Sequence, residues 1–216
     1  MVLGLYGAGG FGKETYEMVS RYEKDKWDAI VFIDDVFQED ELLGASVVPY
    51  AEFREKYPKD IAKIAITQGE PAEKKRLYEK VKLDDYTMAV LVHPHAYVNS
   101  DAILEEGVIV FVGATISSTV RLGKCTAVLT YGLVGHDAVI GDFCQISAMA
   151  LVNGHVKIGD KCFIGGSVCV RDEITIGENS IISMGACVLK DVPEGVIAMG
   201  NPARVIQKNL DGKVFS

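Results

Sequence analysis

Residues 134–164 read VGHDAVIGDFCQISAMALVNGHVKIGDKCFI, and an aliphatic residue returns at every sixth place: Val134, Ile140, Ile146, Val152, Ile158 and Ile164. The same step runs back to Val98 and on to Val188, sixteen positions in succession. Alanine often stands two places earlier, as at Ala96, Ala102, Ala114, Ala138, Ala150 and Ala186. Glycine follows the aliphatic residue at 123, 135, 141, 159, 165 and 177. Neither the ~3.6-residue period of a helix nor the ~2-residue period of a strand makes this pattern. A hexapeptide repeat does.

Each hexad supplies one short strand and one corner, so three hexads complete one coil of a three-sided prism. The aliphatic residue points inward and stacks on its counterparts eighteen residues before and after, one strand spacing (~4.8 Å) away. Corners that need unusual backbone angles are expected to take Gly or Asn. The run amounts to about five coils, a solenoid with one continuous core. Residues 189–216, with two prolines and a charged tail, are expected to leave the prism and cap it.

Residues 1–92 follow another rule, in which strand and helix alternate. The apolar run VLGLY (2–6) leads into GAGGFGKE (7–14), and KETYEMVSRYEK then carries apolar residues at helical spacing. AIVFIDD (29–35), IAKIAIT (61–67) and YTMAVLV (86–92) read as further strands. PYAEFREKYP (49–58) and PAEKKRLYEKV (71–81) read as short helices, each with proline at its first position. Such alternation predicts a small Rossmann-like α/β domain with a parallel sheet over residues 1–92, ahead of an all-β prism domain over 93–216.

Gly7, Gly9 and Gly12 fit G-x-G-x-x-G, a loop that cradles phosphates. A full dinucleotide fold needs two mononucleotide halves, and ~90 residues supply about one, which argues against a nicotinamide oxidoreductase. Ligands of open parallel sheets bind beyond the carboxyl ends of the strands. Gly9, Gly10 and Phe11 after the first strand, Asp34 and Asp35 after the second, and Gly69 after the third converge on that edge. The edge suits one nucleotide carrying a sugar.

The net charge of −8 and the absence of a basic tract argue against nonspecific nucleic-acid or anionic-membrane binding, while leaving room for local basic pockets for phosphates. No charged segment precedes an apolar run at the start, so no secretion signal is expected. VIVFVGATI (108–116) is too short to span a bilayer. Cysteines 125, 144, 162, 169 and 187 form no C-x-x-C pair and are odd in number. Reduced packing residues in a cytoplasmic protein are the expectation.

The histidines are 93, 95, 136 and 155. His93 and His95 fall where the two domains meet, a place for packing. His136 lies two residues past the inward Val134, on an outward corner with no core to fill. The eighteen-residue step puts His155 over Asp137, and puts Gly154 above and Ser118 below His136. A cluster of His136, Asp137 and His155 follows, with Gly154 leaving room for a substrate. The same step stacks Cys144 on Cys162 and Cys169 on Cys187.

The hexads, VIGDF (139–143), LKDVPEG (189–195) and GNPARVI (200–206), with GAGGFGKE and FIDD ahead of them, resemble a known group. This is the sialic acid O-acetyltransferase and bacillosamine-type nucleotide-sugar N-acetyltransferase family of left-handed β-helix acyltransferases. The resemblance covers essentially the whole chain. It implies an acetyl-CoA-dependent sugar acetyltransferase of surface-glycan synthesis, a homotrimer with the cofactor between subunits. His136, in the family's H-[DE]-x-x-I-G-[DE]-F context, is then the general base, and Asp137 raises its basicity. An imidazole titrating near ~6.5 accepts a proton at cellular pH. A thioester arrives activated, so no metal ligand set is expected.

The resemblance also implies acetyl-CoA contacts at Gln145, Gly154, Gly166, Met184 and Arg204. His155 either shares Asp137, contacts acetyl-CoA or is a plain exposed corner. Position 145 is glutamine where one relative has histidine, and Phe11 stands where N-acetylating relatives often have histidine. Ester and amide formation both remain open, and the alternative is a non-catalytic nucleotide- and acetyl-CoA-binding protein.

Overall fold

A computed structural model describes residues 1–210 and 212–214. The chain divides into two compact units, Met1–Gly69 with Glu73–Leu91, and Glu70–Ala72 with Val92–Ser216. Among the described residues, no helix is long and apolar enough to cross a membrane.

The first unit contains β1 (Val2–Tyr6), α1 (Gly10–Tyr22), β2 (Ala29–Ile33), β3 (Glu41–Leu42), β4 (Ala45–Val48), α2 (Tyr50–Lys56), β5 (Ala62–Ile66), α3 (Pro71–Leu83) and β6 (Thr87–Met88). The sheet order is β3-β4-β2-β1-β5-β6, parallel throughout except for the β3–β4 hairpin. The central strand β1 is buried along its length, as its unbroken apolar sequence requires. Gly4 within it is a packing necessity, because a Cβ there would lie 2.7 Å from Ile33 and Phe53.

Three details differ from the sequence reading. The β3–β4 hairpin was not expected, since two- and four-residue strands carry too little periodicity to register. Pro49 is the N-cap of α2 rather than its first helical residue. The apolar run 86–92 is two strands: Thr87–Met88 pairs with β5, whereas Leu91–Val92 opens a face of the prism.

The second unit has three parallel ladders whose rungs are two-residue strands. On one ladder Ile116 faces Val134, then Val152, Val170 and Val188, each eighteen residues from the last. The inward aliphatic residues form one continuous buried core with Ala114, Ala138, Cys144, Ala150, Cys162 and Ala186. The thiols of Cys144 and Cys162 donate inside it to the carbonyls of Gly159 and Gly177, both at 3.1 Å. The expected cap forms in part: Val196–Met199 continues one ladder and Arg204–Lys208 folds back on it antiparallel. Residues 211, 215 and 216 of that expected cap lie outside the described ones.

The corners correct the expectation about glycine. Every sixth residue from 119 to 179 is left-handed, with φ between 52° and 63°, yet none is glycine and most, such as Phe143 and Met149, are residue types poorly suited to it. Thr119, Asp137, Phe143, Met149, His155 and Lys161 all adopt this conformation. Thr119 donates its N–H to the Asp101 carboxylate at 3.0 Å, and the others donate theirs to a carbonyl one coil back, as His155 does to His136 at 2.9 Å and Phe143 to Lys124 at 2.7 Å. That bond offsets a strain of about 1–2 kcal/mol per residue. The glycines after the inward residue serve close approach instead: a Cβ on Gly141 would lie 2.7 Å from the backbone of Gly159 and Asp160.

Substitutions at the two kinds of position should therefore act in opposite directions. Gly141→Ala should lower stability by about 1–3 kcal/mol through overpacking. Glu173→Gly, at an exposed left-handed corner, should raise it by roughly 0.5–1 kcal/mol. Urea midpoints of the two variants against the parent chain measure both.

Candidate functional site

One edge of the prism carries residues 118–119, 136–137, 154–155 and 172–173 on successive coils. Asp137 Oδ2 lies 2.9 Å from His136 Nδ1 and 3.8 Å from His155 Nε2. The two imidazoles meet edge to face, 5.1 Å between centroids. Thr119 Oγ1 donates to Asp137 Oδ1 at 2.6 Å. Asp101, a further coil back, accepts from the Thr119 N–H and the Ser118 hydroxyl at 3.0 and 3.1 Å. Hydrogen bonds from Thr119 and His136 hold the Asp137 carboxyl below the usual carboxylate range.

An ionised Asp137 fixes the tautomer of its partner: Nδ1–H of His136 faces the carboxylate, and Nε2 is left as an acceptor. Gly154 is essential to this arrangement, because a Cβ there would lie 2.8 Å from Cε1 and 2.9 Å from Nε2 of His136. The Gly154 N–H is spent on Asp172 Oδ1 at 3.2 Å. The edge thus offers an exposed, oriented imidazole beside a second one.

At the carboxyl edge of the N-terminal sheet, the glycines of GAGGFGKE divide into two groups. Gly7 has φ of +128°, and a Cβ on Gly12 would lie 1.9 Å from the Gly7 carbonyl oxygen. Those two are required by the chain itself. Gly9 and Gly10 are exposed and a Cβ on either would touch nothing within 4 Å. They open α1, whose first turn carries no acidic side chain and no side-chain cap, so its N–H groups suit an anion. The Lys74 ammonium stands 5.8 Å from the Phe11 ring centroid.

The two acids after β2 are occupied. Asp34 accepts from the N–H groups of Ala8, Val36 and Phe37, which ties the glycine loop to β2. Asp35 accepts from Tyr6 Oη at 2.6 Å, Lys80 Nζ at 2.7 Å and the Tyr50 N–H at 2.9 Å. Burial pushes the Asp35 carboxyl up, but the bonds from Lys80, Tyr6 and Tyr50 outweigh it and bring it below its ordinary value. Burial, and then the Asp35 bond, raises the Tyr6 phenol.

Residues 3–81 match the PglD N-terminal domain, and residues 155–190 match the bacterial transferase hexapeptide (six repeats). WeeI from Acinetobacter baumannii AYE is 30% identical, with a TM-score of 0.90 over 95% of this chain and 100% of that one. The chain belongs to the bacillosamine-type acetyltransferase family. The acetyltransferase domain of PglB from Neisseria gonorrhoeae FA1090, solved in complex with acetyl coenzyme A, is 28% identical with a TM-score of 0.90, covering 95% of this chain and 98% of that one. A GDP-perosamine N-acetyltransferase from Escherichia coli O157:H7 is 30% identical over 144 residues, 65% of this chain and 64% of the relative's length.

Within this family member the expected site residues fall into separate groups. His136, Asp137, Gly154 and His155 share one prism edge. Gly166 and Met184 lie on another edge, Met184 largely exposed. Arg204 is exposed in the closing hairpin, beside a cavity of about 300 Å³ that Lys190 also lines. Gln145 is buried on a prism face, 3% exposed. Gly69 is half-buried in the loop between β5 and α3. His93 is buried, with Nδ1 accepting the His95 N–H at 3.0 Å, which agrees with a packing role.

Thr119, Asp101, Tyr6 and Lys80 escaped the sequence reading. The first two were within its reach, since they stand eighteen and thirty-six residues before Asp137 in the same column.

The Asp35 pairings carry a pH signature. A carboxylate whose folded pKa is depressed stabilises the fold above its unfolded value near ~3.9, and that contribution is lost as pH falls through the lower folded value. Asp35→Asn should therefore melt below the parent at pH 7, with the gap closing below about pH 4. Thermal unfolding from pH 7 to pH 3 checks the convergence.

Proposed function

We propose that this protein transfers the acetyl group of acetyl-CoA to the amino group of a nucleotide-linked sugar. His136 is the general base and Asp137 the residue that holds its tautomer. The observation that carries this reading is the 2.9 Å contact between Asp137 Oδ2 and His136 Nδ1, on an edge where Gly154 leaves Nε2 accessible. The sugar amine attacks the thioester carbon and Nε2 takes the proton. The tetrahedral oxyanion then collapses, and the departing CoA thiolate takes that proton from the imidazolium. The name of the Escherichia coli relative supports an amide product and a nucleotide-linked acceptor.

The N-terminal unit supplies the nucleotide grip. Gly9 and Gly10 bring open backbone N–H groups to a phosphate, and Phe11 and Gly69 flank the loop. Asp34 and Asp35 act by fixing the loop and the sheet edge around it. Acetyl-CoA runs along the prism, with Gly166, Met184 and Arg204 among its contacts. The base and the Gly166–Met184 edge lie on different corners of one prism, which supports a homotrimer in which a neighbouring copy completes each site. The cytoplasm, where acetyl-CoA is made, is the working compartment.

CoA-thiol release over a panel of free sialic acids and nucleotide-linked amino sugars tests the reading. Nucleotide-linked amino sugars should give turnover. His136→Ala should lose about 10²–10⁴-fold in kcat at an unchanged melting temperature. Gly154→Ala should also lose kcat, because its methyl group covers Nε2. Turnover in His136→Ala would refute the base assignment. Tight acetyl-CoA binding with no thiol release on any sugar would favour the non-catalytic alternative.

A further inference from the structure

Spacing along the chain shows no metal-ligand set, but folding brings one together. Ligand atoms of His136, Asp137 and His155, one from each, lie within 4.8 Å of one another, all three residues exposed. Zinc takes imidazole nitrogen at ~2.0–2.1 Å and carboxylate oxygen at ~2.0–2.2 Å, so neighbouring ligand atoms of a tetrahedral centre stand roughly 3.3 Å apart. The two observed separations, 2.9 and 3.8 Å, bracket that value. Small side-chain rotations close the difference. The backbone needs no movement: His155 N–H is bonded to the His136 carbonyl at 2.9 Å, and both Asp137 and His155 are locked in left-handed corners.

We infer that His136, Asp137 and His155 form a surface site for a divalent transition ion, zinc above all, and that its occupation switches the acetyltransferase off. Two imidazoles and one carboxylate suit Zn²⁺, Ni²⁺ or Cu²⁺ rather than Mg²⁺ or Ca²⁺. Three protein ligands leave a fourth position for water.

The inhibitory half rests on the general-base reading above and follows from the tautomer. A metal on Nδ1 displaces the Asp137 hydrogen bond, and a neutral imidazole then carries its proton on Nε2. The nitrogen that should accept a proton from the sugar amine has become a donor. Inhibition therefore needs no steric block. His155, which Asp137 holds less closely than His136, gains a definite role as the third ligand.

The test uses untagged full-length chain with Zn²⁺ followed by calorimetry and Co²⁺ followed by visible absorption, both at neutral pH. Expected are one ion per chain and a tetrahedral-type cobalt spectrum. His155→Ala should weaken binding by about tenfold or more, the least that loss of a direct ligand should cost. Cys169→Ser/Cys187→Ser, which removes the stacked outward thiols, should bind as the parent does. Acetylated sugar measured by mass should fall as the site fills and return with a chelator, and His155→Ala should need correspondingly more zinc for the same inhibition.

Binding that survives His155→Ala, or that vanishes with the cysteines, would overturn the site. Stoichiometric binding without loss of acetyl transfer would overturn the switch. Metal-free protein inactive on every sugar would count against the function proposed above, while the binding measurements would still decide the site.

Discussion

The hydrogen bond from each left-handed corner to the coil before it is the constraint on which this structure depends. An L-residue in that conformation is strained, and a solenoid with three such corners per turn would accumulate the strain without limit. The corner N–H lowers it locally by donating to a carbonyl nineteen residues back, as Asp137 does to Ser118 at 3.1 Å and Glu173 to Gly154 at 3.0 Å. The aliphatic core drives collapse, but apolar contact is non-directional. The corner bonds keep every coil in register with the next.

Register is what creates the site. His136, Asp137 and His155 are brought together by the coil step, and the bond from His155 N–H to His136 O joins their backbones directly. Thr119 and Asp101 extend the same column backward, so the carboxylate that orients the imidazole is itself oriented. Glycine is the other half of the device. At 141 and 154 its missing side chain admits a neighbouring backbone in one case and an imidazole in the other. The loop before α1 uses it likewise, with Gly12 against the Gly7 carbonyl and Gly9 and Gly10 left open to the outside.

How far the sequence could be read follows from which forces are local. A strict six-residue period admits one architecture, so the prism, its coil length and the meeting of His136, Asp137 and His155 were all legible. The non-glycine corners were not, because what compensates Phe143 or Lys161 for a positive φ is a bond to a residue one coil away. Asp34 and Asp35 were placed correctly at the sheet edge. Their saturation was invisible, since it depends on where Tyr6 and Lys80 direct their side chains. The break in 86–92 was hidden for the same reason: both halves are apolar, and only pairing partners separate them.

The asymmetry of the cluster finally distinguishes its two histidines. Asp137 has one oxygen bonded to Thr119 at 2.6 Å and the other 2.9 Å from His136, against 3.8 Å from His155. A carboxylate so committed orients one imidazole. His136 also has Gly154 against its ring, so its Nε2 is both oriented and uncovered. His155 lacks the short carboxylate contact, and its 3.8 Å separation is too long for a hydrogen bond. General-base work requires a fixed tautomer, and of these two histidines His136 alone has the short carboxylate contact that supplies one. A metal ion requires only reach, and for that His155 is close enough.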